Sequence, residues 1–528
     1  MKIMKNPILS GCYPDPSVCS VEKRDEKGNV IGADYYLVNS TFAYVPGVPI
    51  FHSENLQDWT QIGHVLERPE QLVLEGAGMS EGIYAPVIRY HNGKYYMIST
   101  NVSDKGNFYV MADAPQGPWS EPIWLEGAEG IDPSLYFEGD TCYYVGQRTK
   151  KDAKYFGDCE IWVQELDLEN GKLIGEATVL WDGSMKHAIW PEGPHLYKRG
   201  EYYYLLIAEG GTAYSHSICV ARSKSIKGPY EGCPNNPIFT HRHLGHHAEI
   251  QNVGHGDLVE TPEGEWYIVM LATRPMEGCA PLGRETFLAE VVWEEDWPVI
   301  NPGVGRLLEM PQDKREVSEV NWSRPYDMRC IFYGHPQEER YRLEGPDSAW
   351  EEESGQVLAL ETSGTDFGEK QSPTYVGVRV TEKNFSLKTT MRFCPMERDE
   401  AGLVYLYDEK NYVKLVAQRD KKGRVILLAK KTENAVEQII KQAVSDEWVS
   451  TTGQMKDGYE LELSLSGLTL SCFVNGQLFA EMDVRALTSE VTDGFLGCTM
   501  GIYAGSIENA KKEKADNYAR FSRLVICE

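Results

Sequence analysis

From residue 6 to about residue 302, apolar positions recur with a period of two in short runs, and the runs themselves recur. A polar or acidic residue beside proline or glycine opens an apolar stretch, a charged turn follows, and an aromatic pair then starts a second stretch. The layout occurs at Tyr13-Pro14-Asp15-Pro16-Ser17 before Tyr35-Tyr36, and at Tyr84-Ala85-Pro86-Val87 before Tyr95-Tyr96. It returns at Ile131-Asp132-Pro133-Ser134 before Tyr143-Tyr144, at Trp190-Pro191-Glu192-Gly193-Pro194 before Tyr202-Tyr203, and at Gly254-His255-Gly256-Asp257 before Trp266-Tyr267. Self-similar units of short alternating strands predict propeller blades rather than a sandwich or a doubly wound sheet, and five units make a five-bladed ring. The first strand of a blade lines the central channel, so Asp15, Asp132, Glu192 and His255 are predicted neighbours at one end of the axis.

Four of the five blades close on a polar turn with an aromatic, at Trp59, Trp119, Tyr230 and Trp297, residues expected to wedge neighbouring blades together. Sustained helical periodicity is absent. Residues 311–346 are charged and broken by Pro325, Pro336 and Pro346, which predicts an inter-domain linker. Period-two runs then resume, among them 356–360, 375–380, 403–407, 412–416, 460–465 and 468–474. The expectation is an all-β chain: a five-bladed β-propeller at 1–310, a linker at 311–346, and a β-sandwich of jelly-roll, lectin-like type at 347–528.

At 528 residues the chain exceeds one hydrophobic core, and 42% apolar content suffices for two. A formal charge of −27 excludes nucleic acid and disfavours polyanions, leaving a neutral ligand as the partner least penalised. No run reaches membrane-spanning length, and residues 1–6 lead into Pro7 without an apolar export region, so no membrane partner and a cytoplasmic location are expected. The twelve cysteines are scattered singly, as reduced thiols serving as small core hydrophobes would be. Without a Cys-x-x-Cys pair no structural zinc is expected. A homo-oligomer is compatible with all of this.

Three carboxyls on one channel are costly unless their mutual repulsion is used, because it forces one pKa upward. Cleavage of a glycosidic bond uses such a set: one carboxyl stays protonated to serve the leaving oxygen, and another stays ionised to activate water. The pattern therefore assigns Glu192 as acid, Asp15 as base, and Asp132 as the neighbour that raises the pKa of Glu192. His255 shares the blade-opening position. Phe42 lies in an aromatic loop expected to flank the axis, and Arg284 is a candidate bidentate donor to sugar hydroxyls. The histidines at 241, 243, 246 and 247 lack metalloprotease spacing, so no metal ligands are assigned. A non-catalytic sugar-binding propeller and a propeller phosphorylase remain as alternatives; the latter needs a basic phosphate cradle.

At these residues the chain resembles glycoside hydrolase family 43, in particular its two-domain β-xylosidase and α-L-arabinofuranosidase members. The resemblance rests on Tyr13-Pro14-Asp15-Pro16-Ser17, the loop 42–50, Ile131-Asp132-Pro133-Ser134, Pro191-Glu192-Gly193-Pro194, Val253-Gly254-His255-Gly256-Asp257 and Leu282-Gly283-Arg284-Glu285-Thr286. It implies a five-bladed propeller, hydrolysis with inversion, and base, modulator and acid roles for Asp15, Asp132 and Glu192. It also implies that His255 and Arg284 line the sugar pocket and that the C-terminal sandwich closes one side of it, giving exo action on xylan- or arabinan-derived oligosaccharides. No cofactor is implied for the chemistry, although some relatives hold a calcium or sodium ion in the channel near the histidine. Many β-xylosidases of this type have Trp before Ala-Pro; Tyr84 stands there instead, which favours arabinofuranose over xylose.

Overall fold

The computed structural model describes residues 4–185, 187–310, 316–345, 356–362, 365–370, 372–444, 458–506 and 517–528. Five antiparallel four-stranded sheets follow one another along the chain, opened by Ser17–Arg24, Ile83–His91, Ile131–Glu138, Glu192–Arg199 and Gln251–Glu260. Each opening strand contacts its counterparts in both neighbouring blades, so the five close a ring around a channel. The chain start fastens that ring to its last blade. The Asn6 side chain donates to the Leu288 carbonyl and accepts from the Leu288 N–H, both at 2.8 Å, and Leu9 bridges to Thr286.

The expected blade wedges lie between sheets: Trp119 is buried in the core, and Trp297 meets Tyr204 edge-on at 6.3 Å. Trp59 and Tyr230 pack half-buried against core clusters.

Below the blade openings the channel is filled by a buried ionic network. Asp257 accepts hydrogen bonds from Arg89 (2.8 Å), the Ser17 hydroxyl (2.6 Å), the Val18 N–H (3.1 Å) and the Tyr197 hydroxyl (2.5 Å). A second Arg89 nitrogen lies 2.8 Å from His195 Nδ1. Burial alone would raise the Asp257 carboxyl, but Arg89, His195 and these donors outweigh it and hold it well below the usual range. These residues come from blades one, two, four and five, so the network ties the ring together at its axis.

The second domain is a sandwich of a six-stranded and a nine-stranded sheet. The expected boundaries at 310/311 and 346/347 fall at residues outside those described. The described part of the expected linker is paired throughout its short strands. Val317–Val320 joins Leu524–Cys527, Tyr341–Glu344 joins Val357–Glu361, and Phe332–Tyr333 pairs with Tyr44–Val45 of the propeller. One hydrophobic cluster runs through both domains, from Val38, Phe42 and Ile83 to Phe332, Val378, Leu403 and Ile502. A shared core fixes the sandwich on the propeller, and this decides what reaches the channel mouth.

Among the described residues the one α-helical turn is Ser489–Thr492, and no helix is long and apolar enough to cross a membrane. All twelve cysteines are unpaired and ten are buried, as expected of small core side chains.

Candidate active site

The opening strands deliver their first side chains to the axis by local backbone irregularity. The strand register shifts between Tyr84 and Val87, Ile131 and Ser134, Glu192 and His195, and Gln251 and Gly254. Such bulges twist a strand and re-aim a side chain. Asp15, Phe42, Asp132 and His255 also have positive φ, at 52°, 52°, 53° and 45°. The left-handed region costs a non-glycine residue about 1 kcal/mol, so the ring stores strain at the point where its carboxyls gather.

In blade four the left-handed position passes to Gly193, with φ of 56°. A Cβ there would sit 2.9 Å from His255 Cε1. Gly193→Ala is therefore expected to displace His255 and lower kcat/KM by about 10²-fold while the protein still folds, read by kinetics beside a far-UV spectrum. Unchanged kinetics would show that the His255 position is unimportant.

Asp15, Phe42, Tyr84, Asp132, Glu192, His255 and Arg284 all line one cavity, which encloses about 430 Å³ of empty space including its mouth. Five further residues join them, Ala85, Ile131, Thr212, His216 and Phe495. Asp15 is buried, and its two oxygens are held separately. Ser40 donates to Oδ2 at 2.6 Å, Arg284 donates to Oδ1 at 3.1 Å, and His255 Nδ1 lies 3.8 Å from Oδ1. Burial pushes this carboxyl up, but Arg284, His255 and the Ser40 hydroxyl outweigh it and hold it below the usual range. Glu192 has no such counter-charge at hand. Burial first, then repulsion from Asp132 and Asp15, lift it well above the ordinary glutamate value, and Arg284 offsets only part. Asp132 is raised as well, chiefly by burial, although it accepts a hydrogen bond from the Gly193 N–H. One cavity thus holds an ionised carboxylate and a protonated carboxyl side by side near neutral pH.

Arg284 is more committed than a free sugar clamp would be. It donates from Nη1 to Asp15 and to the Thr212 hydroxyl (3.0 Å), and from Nη2 to the Phe495 carbonyl (3.3 Å). Its Nε is buried and, among the described residues, has no acceptor. His216 is in a matching state. Its Nδ1 donates to the Asn252 carbonyl at 3.0 Å, which leaves Nε2 as an acceptor, and Nε2 has no donor among the described residues. Burial, together with Arg284 and His255, lowers its pKa to about 3, so the ring stays neutral.

Phe42, Tyr84 and Phe495 form an aromatic wall. Phe42 and Phe495 stack at 6.2 Å, and Tyr84 meets both edge-on at 5.7 and 5.8 Å. Phe495 belongs to the sandwich, from which it is carried in where Gly283 and Gly497 meet. A Cβ on Gly283 would lie 2.8 Å from the Gly497 Cα.

Beneath His255 the channel centre is taken up by Asp257 and its donors. Asp257 is saturated by its donors, and the Arg89 guanidinium already supplies the positive charge there. Among the described residues no group of three or more His, Cys, Asp or Glu side chains is arranged to hold a metal. His241, from the histidine-rich stretch, is buried and bonded to the Ile250 carbonyl and the Leu307 N–H, and His246 stacks on Tyr214 at 3.8 Å.

A five-bladed ring with three carboxyls in an axial cavity, walled on one side by a β-sandwich, defines the chain as a propeller glycosidase with an accessory domain. It belongs to the glycosyl hydrolases family 43, whose model matches residues 4–298, and the beta xylosidase C-terminal concanavalin A-like domain matches residues 341–524. It is 43% identical over its whole length to a xylosidase/arabinosidase of Butyrivibrio fibrisolvens, covering 99% of that protein. A non-reducing end α-L-arabinofuranosidase of Bacteroides ovatus is 34% identical over 98% of this chain and 94% of that protein. The solved structure of a xylan β-1,4-xylosidase from Bacillus halodurans aligns with a TM-score of 0.82 at 29% identity, over 99% of this chain and 100% of that one.

Proposed function

We propose that this glycoside hydrolase removes terminal α-L-arabinofuranose or β-D-xylose from the non-reducing ends of xylan- or arabinan-derived oligosaccharides, with inversion at the anomeric carbon. The observation that carries the reading is the opposite displacement of two carboxyls in one cavity, Asp15 downward and Glu192 upward. Asp15 takes a proton from water as the water oxygen bonds to the anomeric carbon. The bond from that carbon to the glycosidic oxygen breaks, and Glu192 gives its proton to the departing oxygen. Asp132 keeps Glu192 protonated by charge repulsion. Both Asp15 oxygens are held by donors, which suits a carboxylate that accepts a proton in place better than one that must swing onto carbon. The chemistry needs no cofactor.

Exo action follows from the wall of Phe42, Tyr84 and Phe495, which closes one side of the cavity. It suits one terminal unit better than a run of polymer. A phosphorylase would need free cations for phosphate, whereas the Arg284 guanidinium is occupied by Asp15, Thr212 and Phe495.

The mixed names of the relatives support acceptance of both pentoses, with Tyr84 favouring the furanose. Initial rates on matched aryl α-L-arabinofuranoside and β-D-xyloside test this. Tyr84→Trp is expected to move the ratio of the two kcat/KM values toward the xyloside by about ten-fold. A ratio unmoved by the substitution would remove Tyr84 from specificity.

A further inference from the structure

The segment that leads into Glu192 carries one half of an aromatic pair that the proposed chemistry does not use. Phe156 is 86% exposed, the most exposed large apolar side chain among the described residues. Its ring meets Trp190 edge-on, 5.1 Å between centroids at 86°. A lone exposed aromatic needs no explanation, but this pair is held in place. Trp190 has φ of 50°, a strained state for a bulky residue. Its N–H donates to the Gly157 carbonyl at 2.8 Å, and the neighbouring Ile189 carbonyl accepts from the Gly210 N–H at 2.9 Å. The Tyr155 hydroxyl donates to the Ala188 carbonyl at 2.7 Å. Cβ atoms on Gly157 and Gly211 would lie 3.0 and 3.4 Å from the indole, so the ring sits between two backbones that leave room only for glycine or a small shift.

The position of the pair is chemically specific. Trp190 is two residues before Glu192, and Gly211, against its indole, is next to Thr212 in the cavity wall. Phe156 is three residues before Cys159, whose thiol is close enough to Glu192 for the carboxylate charge to add to the burial that raises its pKa. Both aromatics thus stand on segments that lead to the Glu192 side of the cavity, whereas Phe42, Tyr84 and Phe495 line it. A general acid must touch the leaving oxygen, so the sugar attached to that oxygen lies on the Glu192 side.

Resting on the function proposed above, we infer that Phe156 and Trp190 form a stacking platform for the sugar ring on the leaving-group side of the scissile bond. The C–H face of a pyranose is apolar and covers an exposed aromatic ring, and such contacts are worth a factor of about ten. The platform therefore selects oligosaccharides over small glycosides and adds nothing to bond cleavage itself.

The test compares kcat/KM on a pentose disaccharide with kcat/KM on the corresponding pentosyl fluoride, which has the same terminal unit and no leaving sugar. Phe156→Ala is expected to lower the disaccharide-to-fluoride ratio about ten-fold. Phe156→Tyr, which keeps a ring, is expected to hold it within about two-fold. A ratio unchanged in Phe156→Ala overturns the platform. So does an unchanged ratio accompanied by a smaller assembly in sedimentation, which would make Phe156 a contact between copies of the chain. If the parent protein cleaves neither substrate, the proposed function fails instead.

Discussion

Glu192→Gln is expected to lower kcat on a pentose disaccharide by about 10²–10⁴-fold and to lose far less on the pentosyl fluoride, whose leaving group needs no proton. The same variant carries a stability signature. The folded-state pKa of Glu192 lies above its unfolded value, so between the two the native chain holds a proton that the unfolded chain has released. Native stability therefore falls as pH rises through that window. Glutamine has no proton to lose. The variant is expected to match the parent at pH 4 and to denature at a higher temperature than the parent at pH 8. Parallel losses on both substrates, or a destabilised variant at pH 8, would contradict the assignment.

Asp15→Asn is expected to reduce hydrolysis of disaccharide and fluoride alike, by about 10²–10⁴-fold, because water must be activated whatever departs. Its stability effect has the opposite sign. The Asp15 pKa is depressed in the fold by Arg284, His255 and Ser40 acting against burial, so it contributes stability above its unfolded pKa that is lost as pH falls through the folded one. Removing the carboxylate also leaves Arg284 buried without its acidic partner. Asp15→Asn should thus be less stable than the parent at pH 7, with the difference shrinking in acid. In the parent the two groups together predict a bell-shaped rate profile, its acid limb set by Asp15 and its alkaline limb by Glu192.

The ring and its carboxyls were readable from sequence for one physical reason. Each blade repeats a turn residue beside proline or glycine where the chain enters the channel, so chemistry and punctuation coincide at Asp15, Asp132 and Glu192. Where a residue reaches the site by another route the pattern is silent. Phe495 follows Asp493-Gly494 in a sandwich turn and arrives only because Gly283 and Gly497 let two backbones meet. His216 sits just before the third strand of blade four, Ser217–Ser223, beneath Gly254, and its open Nε2 is a property of folded contacts. Arg89 lies mid-strand in Ile83–His91, where a charged residue reads as solvent-facing; in the fold it is the counter-ion of Asp257. The segment expected as a linker hid its pairing because Val317–Val320 and Tyr341–Glu344 are too short and too charged to show a period.

The division of labour between Asp15 and Glu192 is tested most directly by proton NMR of the pentose in the first moments of hydrolysis, before mutarotation. A first-formed sugar with the anomeric configuration opposite to that of the substrate is the result expected. One that retains the substrate's configuration would mean that a carboxylate, and not water, attacks first, and would contradict the account.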